Sequence, residues 1–244
     1  CTLSPMPPSL RRMPNSHARH GFTMVELVIV LAVVGLLAGL IIPSLLKVRH
    51  RAAATQCLEN CRKLGEAFIQ YSQDNDGRLV PFSQPRSGEA DKKNSAELLW
   101  TELLGIYSDE DQPWHCPECR AGTHGGLAYN RLLANRGITI GQVLKPTQTV
   151  VIGDAGPVAN PEETNPNLWR EEISSEINVS ERARFAVPSA PSWQPARQAP
   201  VRMLNRHHGR ASAIFADGHA GRLPVSHIGF QHEVGDARAL WDNQ

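Results

Sequence analysis

Four cysteines come in two close pairs, Cys57-x3-Cys61 and Cys116-x2-Cys119, with Cys1 standing apart. Such spacings suit a tetrahedral zinc site, whose ligand motifs include C-x2–4-C. They suit two disulfides equally well, in any of three connectivities. Cys57 and Cys61 lie one helical turn apart on one face, where a direct bridge strains a regular helix. Cross-pairing to Cys116 and Cys119 is therefore the better disulfide arrangement. Reduced thiols are the third possibility. Zinc or disulfides would both be structural, pinning the loop around 108–120 to a helix.

His207, His208, His219, His227 and His232 crowd the C-terminal part near Asp217. A metal-hydrolase reading takes two of these histidines and Asp217 as ligands. A plainer reading makes Asp217-Gly218 a hairpin turn and His207 a polar contact that fixes the following strand. The chain has no nucleophile elbow, no H-E-x-x-H and no phosphate loop, so no catalytic residues are assigned and an enzyme is not expected. Asp74-Asn75-Asp76-Gly77 has the D-x-D-G start of a calcium loop but lacks the trailing glutamate such a loop needs. It is also a strong turn signal that ends the preceding helix. Calcium there stays an open alternative.

The elements that must carry these groups fall into two regions. Length and balance are ordinary: 244 residues, 25 basic against 24 acidic side chains, 20% charged and 6% aromatic. One or two domains fit, and a nucleic-acid partner is not indicated. Residues 1–21 hold Arg11, Arg12 and Arg19 and no acid, and the chain opens on Cys1, with Met6 and Met13 as alternative starts. From Leu27 to Ile42 no side chain is polar, and from Phe22 to Leu46 the one charge is Glu26. Roughly 20 helical residues cross a ~30 Å hydrocarbon core, so this stretch can span. Gly35 and Gly39, four apart, would let such helices approach closely.

After Pro43, which should bend or loosen a helix because it has no N–H to donate, the pattern stays helical. Cys57, Cys61, Leu64, Phe68 and Tyr71 fall on one face. Further on, Ala96–Tyr107 reads as a short amphipathic helix, and Thr149–Asp154 and Ala211–Ala216 as strands. Asp217-Gly218 between Ala211–Ala216 and His219–Leu223 is a two-residue hairpin signal. Residues 155–200, with seven prolines, read as a long surface excursion.

A cleaved signal peptide would need a small-residue site beyond the apolar stretch, and Ile41 to Leu46 offers none. A plain anchor leaves Glu26 unexplained, since an unpaired carboxylate at the edge of a span costs a few kcal/mol. Gly21-Phe22-Thr23-Met24-Val25-Glu26 resembles the G-F-x-x-x-E signature of type IV prepilins and type II secretion pseudopilins. That resemblance implies a prepilin peptidase that cuts between Gly21 and Phe22 on the cytoplasmic side and N-methylates Phe22. The apolar stretch is then kept as membrane anchor and filament core. Glu26 becomes the fifth mature residue and Pro43 the twenty-second, both fitting the family pattern. The new amine at Phe22 is a charge that Glu26 of a neighbouring subunit could neutralise in a low-dielectric bundle.

Farther along, Gln56 to Asn60, Leu64-Gly65 and Tyr71 to Gly77 resemble the helix exit of a planctomycete- and verrucomicrobia-rich group of pseudopilin-like proteins. Trp114 to Pro117, Ala128 to Asn130 and Lys145-Pro146 resemble its middle section, and His207 with Asp217-Gly218 meets its H-x9-DG mark. Three basic residues on each side of the span leave the positive-inside rule undecided. The leader motif is what places the C-terminal part outside the inner membrane, in an oxidising compartment that favours disulfides over zinc.

The resulting expectation is an α+β, pilin-like chain. Residues 1–21 would be a cleaved leader, 22–46 a transmembrane and filament-core helix and 47–73 its amphipathic half. Residues 74–244 would form an extracytoplasmic head built on a small antiparallel sheet. Its work would be assembly with other pilin or pseudopilin subunits in a pilus or secretion pseudopilus, after processing by prepilin peptidase. The alternative is a single-pass membrane-anchored envelope enzyme or binding protein that keeps its leader.

Overall fold

The computed structural model describes residues 23–85, 97–108, 114–119, 126–133, 137–173, 184–188, 200–233 and 235–242. The leader, with Gly21 and Phe22, lies outside them. The chain forms two compact units, Cys1–Leu46 and Lys47–Gln244.

Helix α1 runs from Met24 to Asp74 and stays helical through Pro43. In the first unit every large apolar side chain from Met24 to Leu46 is at least half exposed. That stretch is roughly 35 Å of helix, enough for a bilayer's hydrocarbon core by length and composition.

In the second unit α1 buries the face read from its spacing: Cys57, Cys61, Leu64, Phe68 and Tyr71, joined by Ala54, Asn60, Gly65, Ala67 and Ser72. It ends where expected. The N–H groups of Asn75 and Gly77 donate to the Ser72 carbonyl, and Asp76 and Gly77 take positive φ. Asp74 and Asn75 are used locally, Asp74 on the Tyr107 hydroxyl and Asn75 Nδ2 on the Tyr71 carbonyl.

Strand β1, Ser83–Pro85, pairs antiparallel with β2, Glu97–Leu99, and helix α2, Trp100–Gly105, follows directly. The helix expected over 96–107 is thus shorter at its start. Leu98 and Leu99 face Gln84 and Ser83 across a ladder, a long-range pairing that overrides local helical pattern.

The main sheet is built on β3, Leu127–Asn130; β4, Val150–Pro157; β5, Arg184–Phe185; β6, Val201–Met203; β7, Ala211–Phe215; and β8, Ala220–Leu223. A short helix α3, Val225–Ile228, follows. The sheet order is β5-β3-β4-β7-β8, with β6 also on β4. All these pairings are antiparallel except β3 with β5, which is parallel. The α+β, pilin-like class holds, with that one parallel edge added.

Strand β4 is fully buried and changes partner along its length. Val150 to Gly153 pair with β7, and Ala155 to Pro157 pair with β6. Part of the segment expected as a surface excursion is therefore core: Ala155, Val158, Trp169 and Phe185 are all buried. Pro157 ends β4 and Pro200 immediately precedes β6, so neither keeps its neighbours out of the interior.

The β7–β8 hairpin turns at Asp217-Gly218, as read. Gly218 has φ +88° and its carbonyl oxygen rests against Gly65 of α1. A Cβ at Gly65 would sit 2.1 Å from that oxygen, a backbone atom with no room to yield. Helix propensity alone favours Ala over Gly by about 1 kcal/mol, but overpacking against backbone costs more. Gly65→Ala is expected to destabilise the fold by about 3 kcal/mol, read as a lower urea midpoint at unchanged slope.

Candidate functional site

Two places hold the residues singled out by chemistry: the start of α1, and a buried cluster beside β4.

At the start of α1, Glu26 Oε2 accepts from the Thr23 backbone N–H and from Thr23 Oγ1, both at 2.8 Å. Thr23 Oγ1 in turn accepts from the Glu26 N–H at 3.2 Å. This is a reciprocal capping box, T-x-x-E, which satisfies orphan donors of the first turn and puts a negative charge at the positive end of the helix dipole. Beside the charge neutralisation on a neighbouring subunit that the resemblance implies, the carboxylate thus has a local task within its own chain. The T-x-x-E spacing was present in the sequence and was the signal for it.

The buried cluster draws on four segments. Cys57 comes from α1, Cys116 from the loop 114–119, Asp154 from β4 and His207 from the turn leading into β7. All four are buried, and one ligand-type atom from each lies within 4.8 Å of the others. Cys57 Sγ is 3.5 Å from Asp154 Oδ1, Cys116 Sγ is 3.3 Å from His207 Nε2, and His207 Nε2 is 3.4 Å from Asp154 Oδ2. Asp154 sits where β4 changes partner, so the turn between β6 and β7 arrives at its side chain. There Asp154 Oδ2 accepts from the Ser212 N–H at 2.6 Å.

A second layer surrounds these groups. His207 Nδ1 is 2.8 Å from Glu118 Oε2, within ion-pair reach although off the line of a hydrogen bond. Glu118 Oε1 also meets His50 Nδ1 at 2.6 Å. Arg206 is buried with its guanidinium 3.7 Å from Asp154, and it forms an ion pair with Glu171. It donates to the carbonyls of Gly126 and Ala155 at 2.7 and 2.8 Å. Outside lies an open groove of about 690 Å³, lined in part by His50, Glu118, Cys119, Glu171 and Arg206.

Electrostatics follow from this burial. Hydrogen bonding to Cys116 favours the Cys57 thiolate, but the bond to Cys61, burial and the Asp154 charge outweigh it and push the thiol up. Cys116 is pushed up by its bond to Cys57, by burial and by Asp154. Burial lowers the pKa of His207, yet the bond to Cys116 and the charge of Asp154 overcome it and hold the ring toward its protonated form. For Arg206, burial is likewise outweighed, by the Glu171 bond and charge, and the guanidinium stays firmly charged.

The four cysteines do not converge as one set. Cys57 and Cys116 meet in the cluster, and Cys61 hydrogen bonds to Cys57. Cys119 turns instead to Glu171 Oε1 at 3.9 Å. None of the four is joined in a disulfide. His207 and Asp217 also part company: Asp217 Oδ1 meets His219 Nδ1 at 2.6 Å in the hairpin turn, away from the cluster. Asp154, Glu118, Glu171 and Arg206 escaped sequence reasoning. An acid closing the apolar run Val150-Val151-Ile152-Gly153 was the available signal for Asp154, and Glu118 lies between the two cysteines of C-P-E-C.

Residues 16–42 match the family model described as the prokaryotic N-terminal methylation motif. No curated protein and no solved structure matches the chain. Residues 16–42 thus carry a methylation motif that leads into a long apolar helix, which makes the N-terminal segment similar to those of type IV prepilin- and pseudopilin-like proteins.

Arg206→Met would strip the buried Asp154 and the part-buried Glu171 of the guanidinium they share. Breaking a buried pair from one side costs about 3–5 kcal/mol, so urea denaturation should show a loss of that size. Arg206→Met with Glu171→Gln should recover part of it.

Proposed function

We propose that the chain is a structural subunit of a type IV pilus-like or type II secretion pseudopilus filament, not an enzyme. The observation that carries this reading is the pairing of the methylation motif with an apolar helix whose large side chains from Met24 to Leu46 stay at least half exposed. An exposed apolar face of that size needs lipid or other helices around it. Before assembly, the bilayer supplies that environment; afterwards, neighbouring copies of the same helix do. Prepilin peptidase cuts between Gly21 and Phe22 and methylates Phe22, while the span anchors the chain once in the inner membrane with its head on the outer side.

Within the bundle, Gly35 and Gly39 suit close approach, since nothing lies within 4 Å of the position of a Cβ at either. The new amine of Phe22 gives Glu26 a cationic partner in addition to Thr23. The runner-up is the anchored envelope enzyme or binding protein with a retained leader.

Intact-mass and N-terminal analysis of the protein from its native membrane is expected to find methyl-phenylalanine at position 22. An N-terminus within residues 1–20 would sink the filament reading and promote the runner-up. Gly35→Leu with Gly39→Leu is expected to leave cleavage and head stability unchanged, yet to deplete the subunit from the sheared filament fraction. Normal recovery of that variant in filaments would remove the close-packing role.

A further inference from the structure

We propose that Cys57, Cys116, Asp154 and His207 are the four ligands of a structural zinc site, distinct from the four-cysteine set that spacing suggests. The geometry supports it first. Zn–S bonds near 2.3 Å and Zn–N or Zn–O bonds near 2.0–2.1 Å place tetrahedral ligand atoms about 3.3–3.8 Å apart. Cys116 Sγ lies 3.3 Å from His207 Nε2, the two oxygens of Asp154 lie 3.5 Å from Cys57 Sγ and 3.4 Å from His207 Nε2, and one ligand atom from each residue falls within 4.8 Å of the others. The donors are also chemically apt: two sulfurs, an imidazole nitrogen and a carboxylate oxygen suit a borderline-soft divalent ion without geometric preference.

The surroundings supply a second argument. A metal-binding histidine ordinarily turns its other ring nitrogen to a carboxylate, which fixes the tautomer and raises basicity. His207 offers Nε2 to the cluster, while its Nδ1 lies 2.8 Å from Glu118. Asp154 is steadied in the same way by the Ser212 N–H and by Arg206. A disulfide between Cys57 and Cys116 would use the sulfurs but leave the Asp154 carboxylate and the imidazole buried against an apolar bridge. With zinc bound, the two thiol protons and the proton on His207 Nε2 leave to solvent, and the thiolate, carboxylate and metal charges largely cancel. Four buried protein ligands leave no open coordination position, so the site is structural rather than hydrolytic. The groove lined by Glu118, Cys119 and Glu171 borders the carboxylate that backs His207.

The site would clamp α1, the loop 114–119, β4 and the turn before β7 at one point. It stands independently of N-terminal processing, because metal content and the identity of residue 22 are separate measurements on the same sample.

The test uses the full chain extracted in mild detergent from its native membrane, with metal measured by plasma mass spectrometry. About one zinc per chain is expected, and cobalt exchanged into that site should show thiolate-to-cobalt charge transfer and tetrahedral ligand-field bands. Cys119→Ser and Cys61→Ser should retain the metal, while Cys57→Ser and His207→Gln should bind it at least tenfold less. Glu118→Gln should weaken zinc affinity about 10–100-fold. If the ligand variants do not fold, the cobalt spectrum of the unaltered chain decides. Absence of zinc together with a mapped Cys57–Cys116 disulfide would overturn the site. So would a loss of zinc in Cys119→Ser equal to that in Cys57→Ser, which would return the four-cysteine arrangement.

Discussion

Placing a carboxylate at zero exposure in the middle of a sheet is expensive unless every charge around it is arranged for it, and Asp154 is that carboxylate. It sits where β4 passes from one partner strand to another, so its neighbours arrive from elements far apart in sequence. Cys57 reaches it from α1, Arg206 and His207 from the turn between β6 and β7, and Ser212 from β7 itself. Removing the acid would leave Arg206 and Glu171 to balance one another and the turn without its anchor. Much of the head's tertiary order is thus a solution to the problem of keeping one oxygen pair buried.

Helix α1 answers two different demands within one element. Toward its N-terminus, the sequence is apolar around the whole circumference, which is the composition of a helix surrounded by other apolar groups. From Ala54 onward, the apolar residues narrow to a stripe, and that stripe packs on the sheet and on α2. The opposite side carries Glu59, Arg62 and Glu66. Gly65 within the stripe is there for space: it admits the carbonyl of the hairpin turn.

The features legible from sequence were those set by local periodicity or turn chemistry. Cys57 to Tyr71 could be placed on one face because a 3.6-residue repeat survives whatever packs against it. Asp217-Gly218 could be read as a turn because only a narrow range of residues accepts positive φ. Thr23 and Glu26 are equally local, a T-x-x-E spacing that forms a cap whatever else the glutamate's charge does. What local pattern does not encode is register between distant strands. The parallel edge at β5, the β1–β2 pairing that shortened α2 and the inward course of Ala155 to Val158 all depend on it. The cluster beside β4 belongs to the same class. Two of its members were flagged as cysteines and one as a motif histidine, yet only the folded sheet brings them to Asp154.

The capping box at Thr23 and Glu26 bears on the order of events during maturation. The bond before Phe22 lies outside the turn that these two side chains close. The capping bonds themselves run between Thr23 and Glu26, both on the C-terminal side of the proposed cut. On the proposed processing, leader removal would change the charge at the tip of the helix while both capping residues stay in the chain. On that proposal, ripening of the subunit has an electrostatic side: a new positive charge set beside a turn that Thr23 and Glu26 already cap.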